Sequence, residues 1–156
     1  MARYSATIEW TLAPDADFCG KHYSRGHRWH FDGGLVVPAS PSPSIVPPPW
    51  CDVGSVDPEE AFVAALSSCH MLFFLSEAAS AGIEVTAYRD AADGVMRKNK
   101  DGKIAVTTVT LRPDARYAAP PAPPAPETIA SLHHRAHGLC FIANSVHTEI
   151  VTEIVN

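Results

Sequence analysis

The chain predicts an α+β fold, and three observations predict it. Residues 3–10 alternate apolar and polar, residues 61–75 form a nearly unbroken apolar run behind a capping box, and turn-bounded strand-like segments lie on either side of that run. The resulting order, strands, helix, strands, helix, strand, gathers antiparallel sheets about helices and lacks the regular βαβ alternation of a parallel sheet. At 156 residues the expectation is one domain spanning 1–156, long enough to bury a real core.

In residues 3–10, Tyr4, Ala6, Ile8 and Trp10 share one face and Arg3, Ser5, Thr7 and Glu9 the other, as in a half-buried strand. The polar, glycine-bearing segment Pro14 to Arg25 reads as a loop. Trp29 and Phe31, then Asp32-Gly33-Gly34, then Leu35-Val36-Val37 give a hairpin with a glycine-bearing turn. Pro38 to Trp50 is rich in proline and serine. Because proline donates no ladder hydrogen bond, a surface crossover is expected there.

A long helix is predicted from Asp57 to about Ala81. Asp57 is a natural N-cap, Pro58 fits the first helical position, and Glu60 completes the capping box. Gly82 supplies the C-terminal stop. From Ala61 to Leu75 nearly every face is apolar, which predicts a helix sheathed by other elements. Val85–Arg97 and Lys103–Arg112 read as a long hairpin closed by Asn99–Gly102. Pro120 to Pro126 reads as a stiff connector. A second helix starts near Pro126-Glu127, carries Ile129, Leu132 and Ala136 on one stripe, and is expected to stop at Gly138. A short helical turn from Cys140 and a last strand at Ile150–Val155 complete the chain.

Composition narrows the function. Hydrophobic residues make up 46% and charged residues 19%, which excludes disorder, and a net charge of −5 gives no attraction to nucleic acid or anionic membrane. The apolar run is shorter than ~20 residues and contains Ser67, Ser68 and His70, so no membrane span is expected. Met1–Trp10 lacks a secretory pattern, which makes the reducing cytoplasm the expected home. There, Cys19, Cys51, Cys69 and Cys140 are expected to serve catalysis, metal binding or packing in preference to structural disulfides.

Cys69 lies near the middle of the apolar run and Cys140 follows a glycine helix stop. As residues alone, Cys69 reads equally as core packing or as one half of a redox pair. Cys140, opening a helical turn, would sit near unpaired backbone N–H groups that stabilise a thiolate. Cys69-His70 with His137-x-x-Cys140 offers a sulfur–nitrogen set for zinc, but adjacent helical residues point about 100° apart and cannot easily share one ion. His133, His134 and His137 read as solvated, and Cys19 and Cys51 as incidental. Glu59 has an ordinary place in a helix's first turn, and Arg25 and Arg28 an ordinary solvated one.

The segment Asp57-Pro58-Glu59-Glu60-Ala61-Phe62-Val63-Ala64-Ala65-Leu66-Ser67-Ser68-Cys69, with Cys140 in Ala136-His137-Gly138-Leu139-Cys140-Phe141-Ile142-Ala143-Asn144-Ser145, resembles the two cysteine signatures of the OsmC/Ohr family of thiol-dependent hydroperoxide reductases. The resemblance extends over the element order of the whole chain. It implies antiparallel sheets packed around a long buried central helix in an intertwined homodimer. It also implies Cys69 as peroxidatic thiol, Cys140 as resolving thiol, and Glu59 as the carboxylate that holds an arginine beside the reactive sulfur. Arg25 is the arginine that best matches, with Arg28 as runner-up. The apolar neighbours Phe62, Met71, Leu72 and Phe73 read equally as a pocket for an organic tail or as core packing. A peroxide, organic or hydrogen peroxide, would be the substrate and a dithiol, of lipoyl type in this family, the reductant; no cofactor or metal is implied. His70 after the cysteine and the longer 11–28 segment mark a divergent OsmC-like branch. The competing class is a non-catalytic metal- or ligand-binding protein, or an oxidant sensor, on the same scaffold.

Overall fold

The computed structural model describes residues 1–118 and 122–155. They form two compact units, residues 1–61 and 62–156, the second taking most of the long helix.

In the N-terminal unit, β1 (Ala6–Glu9), β2 (His27–Phe31) and β3 (Val36–Ala39) pair antiparallel in that order. Ile8 stands opposite Trp29 and Trp29 opposite Val37. The β2–β3 turn needs Gly34, whose φ of 86° lies where a side chain is strained. Two expectations need correction. β1 is exposed throughout, with Ile8 59% accessible, so its apolar face is uncovered among the described residues. The segment after Val37 is not wholly a surface crossover. Pro38 extends edge strand β3, where a missing N–H is tolerated, and Ala39 and Ser40 are buried. The Ser40 N–H donates to Val56 O and its hydroxyl accepts from the Asp52 N–H, which satisfies the buried polar groups.

Helix α1 (Pro58–Ser80) begins as its sequence dictates. The Glu60 N–H donates to Asp57 Oδ1 at 2.7 Å, and the Asp57 N–H donates to Glu60 Oε2 at 3.3 Å. It ends in paired bonds from Gly82 N–H to Ala79 O and Ile83 N–H to Ala78 O, with Gly82 at φ 71°. Only the stripe Leu66, His70, Phe74, Ala78 is buried. The rest of this apolar helix is partly or fully exposed in the chain, Leu72 by 61%. At 23 residues, α1 is long and apolar enough to cross a membrane by length and composition, although the 61–75 run alone is not. Its buried stripe is instead built into the core of the second unit.

The rest of the second unit comprises β4 (Val85–Asp90), β5 (Asp93–Lys98), β6 (Ile104–Leu111), β7 (Pro113–Tyr117), α2 (Pro126–Leu139), a 3-10 turn at Ala143–Ser145 and β8 (Glu149–Thr152). The expected long hairpin is divided. β5 and β6 form it, while β4 leaves to pair with β7 in a second sheet. Asp90 marks the division: its Oδ1 takes the Arg112 N–H at 2.6 Å and its Oδ2 the Ser67 hydroxyl at 2.6 Å. β8 runs parallel to β6, because the α2 crossover returns the chain to the same end of the sheet, so this sheet is mixed and not purely antiparallel. One core joins Phe74 and Ala78 to Ala115, Leu132 and Ala136; another joins Leu66 to Val109 and Leu111. Gly94 lets β5 pass close to α1, since a Cβ there would lie 2.7 Å from Val63 Cγ2. The connector expected at 120–126 begins among residues outside the described ones.

Candidate thiol site

Two elements deliver the two sulfurs. Cys69 stands at mid-length on α1, half-buried, and Cys140 is the C-cap of α2 and 1% exposed. α2 continues one residue past Gly138, and the Cys140 N–H closes it on Ala136 O and His137 O. The two thiols are near enough to interact, Cys69 being one of the groups that raise the Cys140 thiol. Both are free thiols.

The electrostatics of Cys140 reverse the expectation of a stabilised thiolate. The Ala143 N–H does donate to Cys140 Sγ at 3.4 Å, and that bond favours the ionised sulfur. Burial outweighs it and, with the neighbouring Cys69 thiol, pushes the Cys140 thiol up to about 11. Cys140 is therefore held protonated.

Cys69 opens onto a shallow groove of about 440 Å³ lined by Ala65, Ser68, Leu72, Phe73 and Ser76 of α1 and by Phe141 and Ile142. Phe73 and Phe141 meet edge to face at 5.0 Å, forming an apolar wall. Leu72 and Phe73 were anticipated there. Phe62 instead packs beside the Leu66 core, and Met71 is not among the lining residues. Phe141 and Ile142 carry no sequence signal of a groove beyond their place next to Cys140.

The other predicted residues belong to the N-terminal unit. Glu59 shares α1 with Cys69 but is ten residues earlier, ~15 Å along a straight helix. Within the N-terminal unit the Arg25 guanidinium donates to Lys21 O at 2.9 Å and Tyr23 O at 2.7 Å and lies 3.9 Å over the Tyr23 ring. It is not paired with Glu59 among the described residues. Arg28 is exposed and lines a groove of about 430 Å³ within the same unit, beside Glu9 and Asp52. Cys19 is exposed and Cys51 half-buried. Among the described residues no group of three His, Cys, Asp or Glu is placed to hold a metal ion.

The histidines need correction. His133 is not solvated: it is 3% exposed and hydrogen-bonded, Nδ1 to Nε2 at 2.9 Å, to His70, which is 1% exposed. The two rings are parallel within 2°, and His133 stacks on Phe74 at 4.1 Å. Burial holds both imidazoles down to about 4. Position on α2 could have shown this, because His133 directly follows Leu132 on the buried stripe and lies one turn from Ile129.

The profile of the OsmC-like protein family matches residues 52–155. An OsmC-like protein of unknown function from Vibrio cholerae is 49% identical and superposes with a TM-score of 0.97, covering 99% of this chain and 100% of that one. An organic hydroperoxide resistance protein from Elizabethkingia anophelis shares the fold at 17% identity (TM-score 0.71; 99% of this chain, 94% of that one). The organic hydroperoxide resistance protein OhrB of Bacillus subtilis does so at 16% (TM-score 0.66; 98% of each chain). No curated protein matches the chain.

Proposed function

The chain belongs to the OsmC-like protein family, and from that premise we propose that it is a thiol-dependent hydroperoxide reductase. The observation that carries this reading is the proximity of two free thiols in unlike settings: Cys69 lining an apolar groove, Cys140 buried and held protonated. Unlike settings divide the labour. Cys69, open to the groove, attacks the O–O bond as thiolate; the bond breaks, an alcohol leaves, and Cys69 becomes a sulfenic acid. The Cys140 sulfur then attacks that sulfur, the S–O bond breaks, and water departs with the Cys140 proton. The resulting disulfide prevents climb to irreversible oxidation states. A dithiol, of the lipoyl type that the family resemblance suggests, resets the pair by exchange. A reducing cytoplasm would keep such a dithiol available.

The groove favours an organic hydroperoxide over hydrogen peroxide, because Leu72, Phe73 and Phe141 offer apolar contact to a hydrocarbon tail. Arg25, with Arg28 as the other candidate, supplies the guanidinium that donates to the departing alkoxide, and Glu59 orients it. The ~15 Å between Glu59 and Cys69 on one uninterrupted helix supports a site that a second chain completes. The uncovered apolar residues of α1 and β1 support an intertwined homodimer, since pairing two copies would bury them. Mixing reduced protein with substoichiometric tert-butyl hydroperoxide tests the activity. Alcohol released in step with thiol loss supports it, and persistence of the peroxide refutes it in favour of a binding or sensing role.

A further inference from the structure

Among the described residues of the second unit, the His70–His133 pair is a buried polar cluster that the proposed chemistry does not use. It lies between the two elements that carry the thiols. His70 is the residue after Cys69 on α1, and His133 is two turns before Cys140 on α2, ~10 Å along that helix. Two other contacts between these helices differ in kind from the pair. Phe74 and Ala78 pack on Leu132 and Ala136, a non-directional contact that tolerates sliding. Arg135 pairs with Glu77 at a solvent-exposed edge, where an ion pair fixes little. The histidine bond is directional, buried and stacked on Phe74, and it leaves His70 Nδ1 buried with no hydrogen-bond partner among the described residues. A core that retains such an orphaned nitrogen forgoes the stability of an apolar pair at this position.

Given the thiol-pair chemistry proposed above, we infer that the His70–His133 pair is a positioning clasp, fixing the register of α1 against α2 and thereby how readily Cys69 and Cys140 close to a disulfide. Disulfide geometry makes such a device effective: the Cβ atoms must come within about 3.5–4.5 Å with a defined dihedral, so a slip of an ångström removes the bond's easy closure. The dithiol form has no such requirement and tolerates a looser fit.

The clasp also predicts an acid dependence. The chargeable groups facing His70 are His133 and His137 of α2, which oppose its protonation, and Asp90 of β4, which favours it. A first proton places a charge in the core; a second also removes the lone pair that accepts the hydrogen bond. Both loosen the register.

The test uses the whole reduced protein equilibrated with reduced and oxidised glutathione, which exchanges two thiols for one disulfide without any peroxide. The equilibrium constant for forming Cys69–Cys140, followed by peptide mapping, is compared for wild type and for His70→Leu/His133→Leu, whose paired apolar replacement leaves no orphaned group. The double variant is expected to form the disulfide at least about tenfold less favourably at pH 7. Wild type is expected to lose that preference as the pH falls toward 4, within the range where its circular dichroism is unchanged, and the variant to show no such slope. General destabilisation, acting equally on dithiol and disulfide forms, moves neither quantity. A folded variant with the wild-type constant overturns the clasp. Should the variant fail to fold, a flat wild-type profile overturns it and a His-range slope supports it. A clasp effect in a protein that leaves tert-butyl hydroperoxide untouched separates the two claims: the clasp stands and the peroxidase reading falls.

Discussion

At Cys140 two forces oppose each other, a backbone N–H that favours the thiolate and burial that disfavours it, and burial wins. The end of α2 and a turn after it were legible in the sequence to within a few residues; the depth of Cys140 was not, because it depends on α2 docking against the rest of the unit. One consequence is measurable by alkylation with peptide mapping. With the thiol pushed up to about 11, its thiolate fraction at pH 8 is on the order of one in a thousand, so iodoacetamide is expected to label Cys140 slowly until the pH approaches 11. Rapid labelling of Cys140 at pH 8 in folded protein contradicts the assignment. The two cysteines are expected to separate in kinetics as well. Cys69→Ser abolishes peroxide consumption, whereas Cys140→Ser permits one turnover and then accumulates sulfenic and over-oxidised Cys69, read by mass. Sustained turnover of Cys140→Ser with a dithiol removes its resolving role. For the arginines, Arg25→Ala is expected to lower the rate of peroxide reduction by ten- to a thousandfold, as loss of a donor to developing negative charge does, and Arg28→Ala by far less. The reverse order transfers the role to Arg28.

Elements with local signals were the most legible. The capping box of α1 fixes its start at Pro58, and Gly82 fixes its end, because both devices are written within a few residues. Non-local features were not legible: the division of the long hairpin at Asp90, the parallel return of β8, and the close pass of β5 over α1 at Gly94 depend on partners far along the chain. Gly94→Ala tests the last of these. A methyl 2.7 Å from Val63 Cγ2 forces a shift, and the expected loss is about 1–3 kcal/mol in urea unfolding. An unchanged midpoint means β5 is free to move away. The two buried imidazoles give the protein an acid dependence whose sign follows from linkage. Both are held down to about 4 when folded, against 6.5 when unfolded, so their contribution is complete above pH 6.5 and is lost as the pH falls from 6.5 toward 4. Thermal melts across that range are expected to show a falling midpoint in wild type and a flatter profile in His70→Leu/His133→Leu; identical slopes contradict the burial of the pair.

For the whole molecule, the apolar faces of α1 and β1 exceed what the chain itself covers, and the sequence revealed the apolarity without revealing what meets it. A helix apolar on nearly every face predicts burial, but composition does not say whether the cover is the same chain or a second copy. The dimer reading is tested by complementation. Glu59→Ala and Cys69→Ser chains, each inactive alone, are expected to recover up to about a quarter of wild-type activity on mixing and re-association, since half of the dimers are then hybrids with one intact site of two. A dilute monomer with full activity contradicts it. The central claim, that Cys69 and Cys140 are a working redox pair, is tested most directly by adding one equivalent of tert-butyl hydroperoxide to the fully reduced protein and measuring free thiols and intact mass. The account predicts loss of two thiols and about two mass units, with the new bond mapped to Cys69–Cys140. Retention of all the thiols, or a bond mapped to Cys19 or Cys51, would contradict it.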